Sequence, residues 1–213
     1  LTFYLLPKND LRNIKLVFNK CEINVERIIC KKFVEGIDLI KNNGNSFTVI
    51  NLRKEKSHVS IFINSSFVYS ESFSFGTDII MRDVSKICSL DLKIVKKIFS
   101  SLSFDEKNKD YNNAYLEKKF FEGSNFRKIS ISHLKDIIDA RIKELVNLIH
   151  KSNINLKYFN TKNNIVCFKF EDESIPQSCK SIFKNNYREK DEVRFISSDK
   201  DEHLKGCINS AEL

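Results

Sequence analysis

Two apolar runs flank a charged interruption in "TVINLRKEKSHVSIFIN", residues 48–64, and this arrangement restricts the fold more than any other feature of the chain. Val49 and Ile50 lead in, and Val59, Ile61 and Ile63 alternate outward with Ser60 and Phe62 between them. Alternation with period two around a polar break is the pattern of a β-hairpin. The turn nevertheless has no Gly, Asn-Gly or Asp-Gly, the residues that a tight two-residue turn takes. A third alternating run, "SSFVYSESFSF", extends the hairpin to a meander.

Helical spacing frames this meander. Before it, "LTFYLLP" and "EINVERIIC" read as strands. "KNDLRNIKLVFNKC" reads as a helix capped by Asn9 or Asp10, with Leu11, Ile14, Val17 and Phe18 as its apolar positions. "KKFVEGIDLIKN" is a second helix, stopped at "NNG". After the meander, Ile79, Ile80, Val84 and Ile87 define one amphipathic helix; Leu92, Val95 and Ile98 or Phe99 define the next. A polar stretch then introduces the clearest helix of the chain. Its stripe is Leu134, Ile137, Ile138, Ile142, Leu145 and Leu148 or Ile149, with Asp136, Asp139, Lys143 and Lys151 outside it. Strand "IVCFKF", helix "IPQSCKSIFKNNY", strand "EVRFIS" and a last helical start, "HLKGCINSAEL", follow. Meander, helices, then β-α-β-α make an α/β or α+β layout.

Composition excludes several classes. With 41% hydrophobic and 30% charged residues, the chain is globular rather than disordered. The formal net charge of +8 comes from lysines that mostly sit beside Asp or Glu, in a chain rich in the AT-codon residues Ile, Lys, Asn and Phe. A nucleic-acid partner is not expected from such scattered charge. The six cysteines (Cys21, Cys30, Cys88, Cys167, Cys179, Cys207) include no C-x-x-C pair, and several lie in apolar runs as small hydrophobes. This fits a reducing compartment, without zinc. His58, His133, His150 and His203 lack ligand spacing and read as surface residues. No apolar run approaches bilayer-spanning length, and no segment has the form of a signal peptide. Starting at Leu1 and stopping after "CINSAEL", the sequence reads as part of a longer protein.

The order of these elements resembles the back two-thirds of an actin-family protein, specifically the bacterial cell-division FtsA family. In that family the hairpin turn, D-I-G-G-G-T-T-D, cradles nucleotide phosphates; "NLRKEKSH", residues 51–58, stands in its place. The family's P-V-G-G-x-x-I-T-x-D-I is matched by "SFGTDIIMRDV", which keeps Gly76, Ile80 and Asp83. L-x-x-I-I-x-x-R-x-x-E-I falls in step with Leu134, Ile137, Ile138, Arg141 and Glu144. V-V-L-T-G-G-G-x-x-L-P-G-L has its counterpart in "VCFKFEDESIPQS", with Ile175 and Pro176 in place. The match is collinear over essentially the whole chain, while each motif alone is degenerate.

The resemblance implies an α/β, actin-like (ribonuclease H-like) core with a helical subdomain insertion. It implies that 1–30 ends the small FtsA-specific subdomain and that 31–45 is the connecting helix of the first actin-like subdomain. The second actin-like core then comprises 46–102 and its return, 163–213, around an inserted helical subdomain, 103–162. It places Asn51, Arg53, Lys54, Glu55, Lys56, Ser57, Gly76, Thr77, Lys96, Phe99, Lys169, Phe170, Glu171 and Asp172 at the nucleotide pocket. Those positions have lost the pocket's chemistry. Glycines let backbone N–H groups approach phosphate closely, and Arg53, Lys54 and Glu55 add bulk there. Asn51 replaces a carboxylate used near a hydrated metal ion. Lys169, Phe170, Glu171 and Asp172 replace T-G-G-G, and Lys96 and Phe99 replace the Glu and Lys of A-E-x-x-K.

The expected function is therefore an adaptor with a vestigial ATPase fold and not an enzyme, with ATP and magnesium implied by resemblance only. Its expected partners are the acidic, apolar C-terminal tail of FtsZ, further copies of itself and other division proteins. Its expected location is the cytoplasmic face of the membrane at the division site, with membrane attachment through a segment outside this chain. A basic face from Arg127, Lys128, Lys135, Arg141 and Lys143 would suit the tail. Arg141 and Glu144 also have the spacing of a simple helix-surface ion pair. Gly76 reads as a turn residue needing positive φ, and Asp83 as a solvated side chain or, second, a hydrogen-bonding partner in the interdomain cleft. The competing readings are a functioning ATPase of the sugar-kinase and actin superfamily, and a basic interaction module of another pathway.

Overall fold

Phe47–Leu52 (β1) is buried at all six positions, which makes it the spine of the sheet. A strand covered on both faces reads as an apolar run rather than an alternation, and here Thr48 and Asn51 are the polar exceptions. The computed structural model describes residues 5–102, 114–121, 125–151, 153–159, 165–171, 179–187 and 191–196. β1 leads through a four-residue turn into β2 (Ser57–Ile63), and β3 (Ser66–Phe73) completes the meander. β4 (Ile165–Phe170) lies parallel to β1 on its other side, and β5 (Glu192–Ile196) lies parallel to β4, giving the order β3-β2-β1-β4-β5. The carboxyl ends of β1, β4 and β5 therefore face the same way.

The chain divides into two compact units. Among the described residues, the first comprises 5–46 with the meander tip, Phe62–Val68. Its helix α2 (Lys31–Asn43) lies directly on an aromatic: a Cβ at Gly36 would sit 1.8–2.6 Å from ring atoms of Phe62. Phe62 in turn stacks on Phe67 at 5.2 Å. α2 stops at Gly44, whose φ of +76° favours glycine, as the "NNG" signal implied. Helix α1 (Lys8–Lys20) has no buried residue.

Its start differs from expectation. Pro7 is the N-cap, its carbonyl accepting from Leu11 N at 3.3 Å, and Asp10 falls inside the first turn, where a carboxylate suits the helix dipole. Of the two strands expected near the amino end, the one over 22–30 does not form either. Residues 5–7 and 23–30 are irregular, and 1–4 lie outside the described residues. An extended run becomes a strand only when a neighbouring edge takes its backbone hydrogen bonds, and among the described residues the sheet comprises β1 to β5, without 22–30.

The second unit comprises the remaining described residues, including β1, β4 and β5. Its helical layer holds α3 (Asp78–Cys88), α4 (Leu92–Ser101), a 3₁₀ turn (Lys118–Phe121) and α5 (Ile131–Val146), which ends in a π turn (Asn147–Lys151) followed by α6 (Ile154–Tyr158). Asp91 caps α4 by accepting from Lys93 N at 2.7 Å, and Ser130 caps α5 by accepting from His133 N at 3.1 Å. α5 buries Leu134, Ile137, Ile138, Ile142 and Leu145 as read, together with Ile131 and Val146. Ile149, not Leu148, continues inward.

On α3 the buried set is Ile80, Met81, Val84 and Cys88, while Ile87 is exposed. The stripe is rotated from expectation because hydrogen bonds at Thr77 and Asp78 fix the helix start, described below. On α4, Leu92 is exposed, and Ile94, Val95, Ile98 and Phe99 all face inward. α7 (Cys179–Asn185) connects β4 to β5 and brings Phe183 against Phe168 and Phe170, at 5.5 and 5.3 Å. Cys167 lies in this core as a small hydrophobe, and burial pushes its thiol up to about 12.

Candidate functional site at the carboxyl ends of β1 and β4

β1 and β4 run in register, Asn51 beside Lys169 and Leu52 beside Phe170. Side chains two apart along a strand share a face, so Asn51, Arg53, Lys169 and Glu171 converge just past the strand ends. The ladder continues one residue further, with Glu171 N donating to Leu52 O at 3.1 Å. The Glu171 carboxylate accepts from Asn51 Nδ2 at 2.5 Å and from Arg53 Nη2 at 3.2 Å on one oxygen. Its other oxygen lies 2.8 Å from Arg53 Nε. Burial works against this carboxylate, but the hydrogen bonds from Asn51 and Arg53 and the charges of Arg53 and Lys169 outweigh it. They hold Glu171 below the usual carboxylate range. Asn51 is 5% exposed, and its Oδ1 is buried with no hydrogen-bond partner.

Below the cluster, the β1–β2 turn is clamped to the start of α3. Arg53 O accepts from Thr77 N at 2.9 Å and from Thr77 Oγ1 at 3.3 Å, and Lys54 O accepts from Asp78 N at 3.0 Å. Ser57 Oγ donates to Phe75 O at 2.8 Å, and Arg53 N closes the turn onto Lys56 O at 3.0 Å. Gly76 is needed for close approach rather than for positive φ: a Cβ there would lie 2.2 Å from Arg53 O and 2.4 Å from Lys54 O. Lys54, Glu55 and Lys56 form the exposed tip.

Other sequence-predicted positions go elsewhere. Phe99 is buried in the helical core and Lys96 is exposed on α4. Phe170 joins the Phe168, Phe183 and Phe195 rings. Asp172 lies outside the described residues.

These residues do not fit the phosphates of a nucleotide. The turn presents the carbonyls of Arg53 and Lys54 to α3, and a carboxylate occupies the place between Asn51 and Arg53. A phosphate entering beside Glu171 would meet like charge at hydrogen-bonding distance.

The basic residues read as a docking face behave unequally. Arg141 is tied up: it pairs with Asp83 of α3 and, at 2.7 Å, with Glu144. Asp83 is thus a bridge between α3 and α5, its side chain 17% exposed, and not a solvated residue. Lys143 is exposed and Lys135 half-buried. Arg127 and Lys128 are exposed, Arg127 reaching Cys88 O at 3.4 Å and Lys128 lying 4.4 Å from the Tyr115 ring centroid. Beside them Lys118 lies over Phe126 at 5.9 Å and Lys119 over Phe120 at 5.4 Å. Lys118, Lys119, Tyr115 and Phe126 join this face without being among the sequence-predicted residues. The signal was the interleaving of aromatic and basic residues in "AYLEKKFF" and "NFRK".

His150, read as a surface residue, is instead 4% exposed. It lies 3.9 Å from Asp191 and edge-on to Tyr187, because the π turn after α5 carries it inward beside Ile149. Among the described residues no group of three or more acidic, His or Cys side chains is placed to hold a metal ion, and no helix is long and apolar enough to cross a membrane.

No protein-family model and no curated protein sequence matches this chain. Solved structures do. MreB5 of Spiroplasma citri bound to ADP superposes with a TM-score of 0.57 at 14% identity, over 97% of this chain and 66% of that one. The ethanolamine utilization protein EutJ from Carboxydothermus hydrogenoformans gives 0.54 at 6% identity, over 89% of this chain and 57% of that one. The PilM–PilN type IV pilus biogenesis complex gives 0.51 at 7% identity, over 87% of this chain and 47% of that one. This chain has the actin-like ATPase fold. It spans about half to two-thirds of the length of these structures.

Proposed function

We propose that the chain is part of an FtsA-like adaptor, an actin-like scaffold that works by protein contacts and does not grip a nucleotide. One observation carries the reading: the Glu171 carboxylate, held by Asn51 and Arg53, stands where the strand ends of such a fold would meet phosphate. The partner is an acidic, apolar tail of the FtsZ type. It docks on the exposed basic and aromatic surface that includes Arg127 and Lys128, where cation–aromatic pairs favour carboxylates and apolar side chains together. Self-association and attachment of the division ring to the inner face of the membrane complete the role. A second reading, an ATP-binding member of the superfamily, is favoured by the MreB5 structures bound to ADP and AMPPNP. Calorimetric titration of the full-length protein with magnesium-ATP separates the two: no heat of binding is expected at millimolar nucleotide, and tight binding would reject the scaffold reading. For the partner, Arg127→Glu with Lys128→Glu should weaken capture by an FtsZ tail peptide at least tenfold; unchanged capture would exclude this surface.

A further inference from the structure

The first compact unit leaves apolar and charged side chains uncovered together. Most of the large apolar side chains exposed among the described residues fall between Leu5 and Ile29, and a concentration of that kind marks a contact surface. Within it, one face of α1 and the irregular run after it frame a groove of about 440 Å³. We infer that this groove docks an acidic amphipathic helix of a partner protein. The inference is independent of the reading above, since it involves neither the strand ends nor Arg127 and Lys128.

Lys8, Arg12 and Lys15 stand at i, i+4 and i+7 on α1, so they share the face that lines the groove. Leu11, Leu16 and Ile28 supply its apolar walls, with Leu16 and Ile28 exposed. No carboxylate lines the groove, and among the described residues none of its three cations has an ion-pair partner. A ligand that fits must therefore bring negative charge and apolar surface together. Length sets the rest. Lys8 and Lys15 lie about 10 Å apart along the axis, at roughly 1.5 Å per residue. Two turns of a facing helix span the same distance, its carboxylates at i, i+4 and i+7 meeting the cations and its apolar side chains entering between the walls.

Two other occupants fit less well. A second copy docked through the same face would set Lys8, Arg12 and Lys15 against their own like charges. A bilayer would take up the apolar stripe of α1 instead. There Asp10 shares a face with Ile14 and Val17, at i, i+4 and i+7, so its carboxylate would have to enter the membrane with them.

The test titrates the full chain, by fluorescence anisotropy, with a designed helical peptide that carries glutamates at i, i+4 and i+7 beside a leucine stripe. Its counterpart with lysine for glutamate is the control. The acidic peptide should bind at least tenfold more tightly than the basic one, and more weakly as salt is raised. Arg12→Glu with Lys15→Glu should cut its affinity at least tenfold, and Leu16→Glu should do the same while leaving the cations in place. Val17→Glu, on the far side of α1, should leave it unchanged, as should Arg127→Glu with Lys128→Glu. α1 buries no residue, so these variants should keep the wild-type circular dichroism; if Leu16→Glu does not, Leu16→Ser decides the apolar arm. Equal binding of the two peptides, or binding indifferent to Arg12, Lys15 and Leu16, overturns the inference. Loss of binding on reversal of Arg127 and Lys128 alone also overturns it, because the peptide would then sit on the other basic surface. Without peptide binding, co-sedimentation with phosphatidylglycerol vesicles would assign the face to a membrane. Self-association abolished by Arg12→Glu with Lys15→Glu in analytical ultracentrifugation would assign it to a second copy. Either result overturns the inference.

Discussion

Helices α1 and α5 carry the same kind of apolar stripe and meet opposite fates. α5 buries seven side chains and is tied by Arg141 to Asp83 on α3. α1 buries none, and its Ile14, Val17 and Phe18 are 44%, 61% and 43% exposed. Periodicity reports that a face needs cover, not which neighbour supplies it. What separates the two helices is contact with distant parts of the sequence.

Substitutions can break or sharpen that contrast. The largest effect belongs to Ile138→Ala, expected to cost about 2–5 kcal/mol in urea denaturation because its cavity lies among fully buried neighbours. Ile14→Ala on α1 should stay within about 0.5 kcal/mol; equal costs would abolish the distinction. Next is Gly76→Ala, about 1–3 kcal/mol or more, since the new methyl meets the backbone of the β1–β2 turn rather than a side chain that can swing away.

Smaller again is Asp83→Asn, about 1 kcal/mol, because Arg141 keeps Glu144 as a partner. A loss no greater than that of an exposed α1 charge would show that the α3–α5 bridge adds nothing.

The smallest effect is a pH dependence. Glu171 is held below the usual carboxylate range, so the unfolded chain binds its proton more readily than the folded one. The stability it contributes is present above the ordinary carboxylate pKa and fades as pH falls through the lowered folded value. The pair is part-exposed, which limits this to under about 1 kcal/mol. Subtracting the denaturation profile of Glu171→Gln from that of the wild type should isolate it, and a difference flat with pH would contradict the pairing.

Local pattern made the meander, the helix over 131–146 and the α2 stop at Gly44 legible, because each follows from neighbours in sequence. Collinearity with a family brought the residues of both strand ends to one site. The Arg53–Glu171 and Arg141–Asp83 pairs were not legible: their partners lie far apart in sequence, and charge alone does not choose among thirty-six cations and twenty-eight carboxylates. The inward turn of His150 depends on one π turn that periodicity at 3.6 residues cannot anticipate. The run over 22–30 misled for the converse reason, having strand-like residues and, among the described residues, no strand to join.

The parallel pairing of β1 with β4 has a consequence for synthesis. Phe47 waits for Ile165, about 120 residues later, before one edge of the central strand is closed. At roughly 5–20 residues per second, an emerging chain carries that apolar edge open for several seconds or longer. Throughout that interval the nascent meander is a template for any passing strand, so a ribosome-bound chain halted just after α5 should depend on a holding chaperone far more than the finished one.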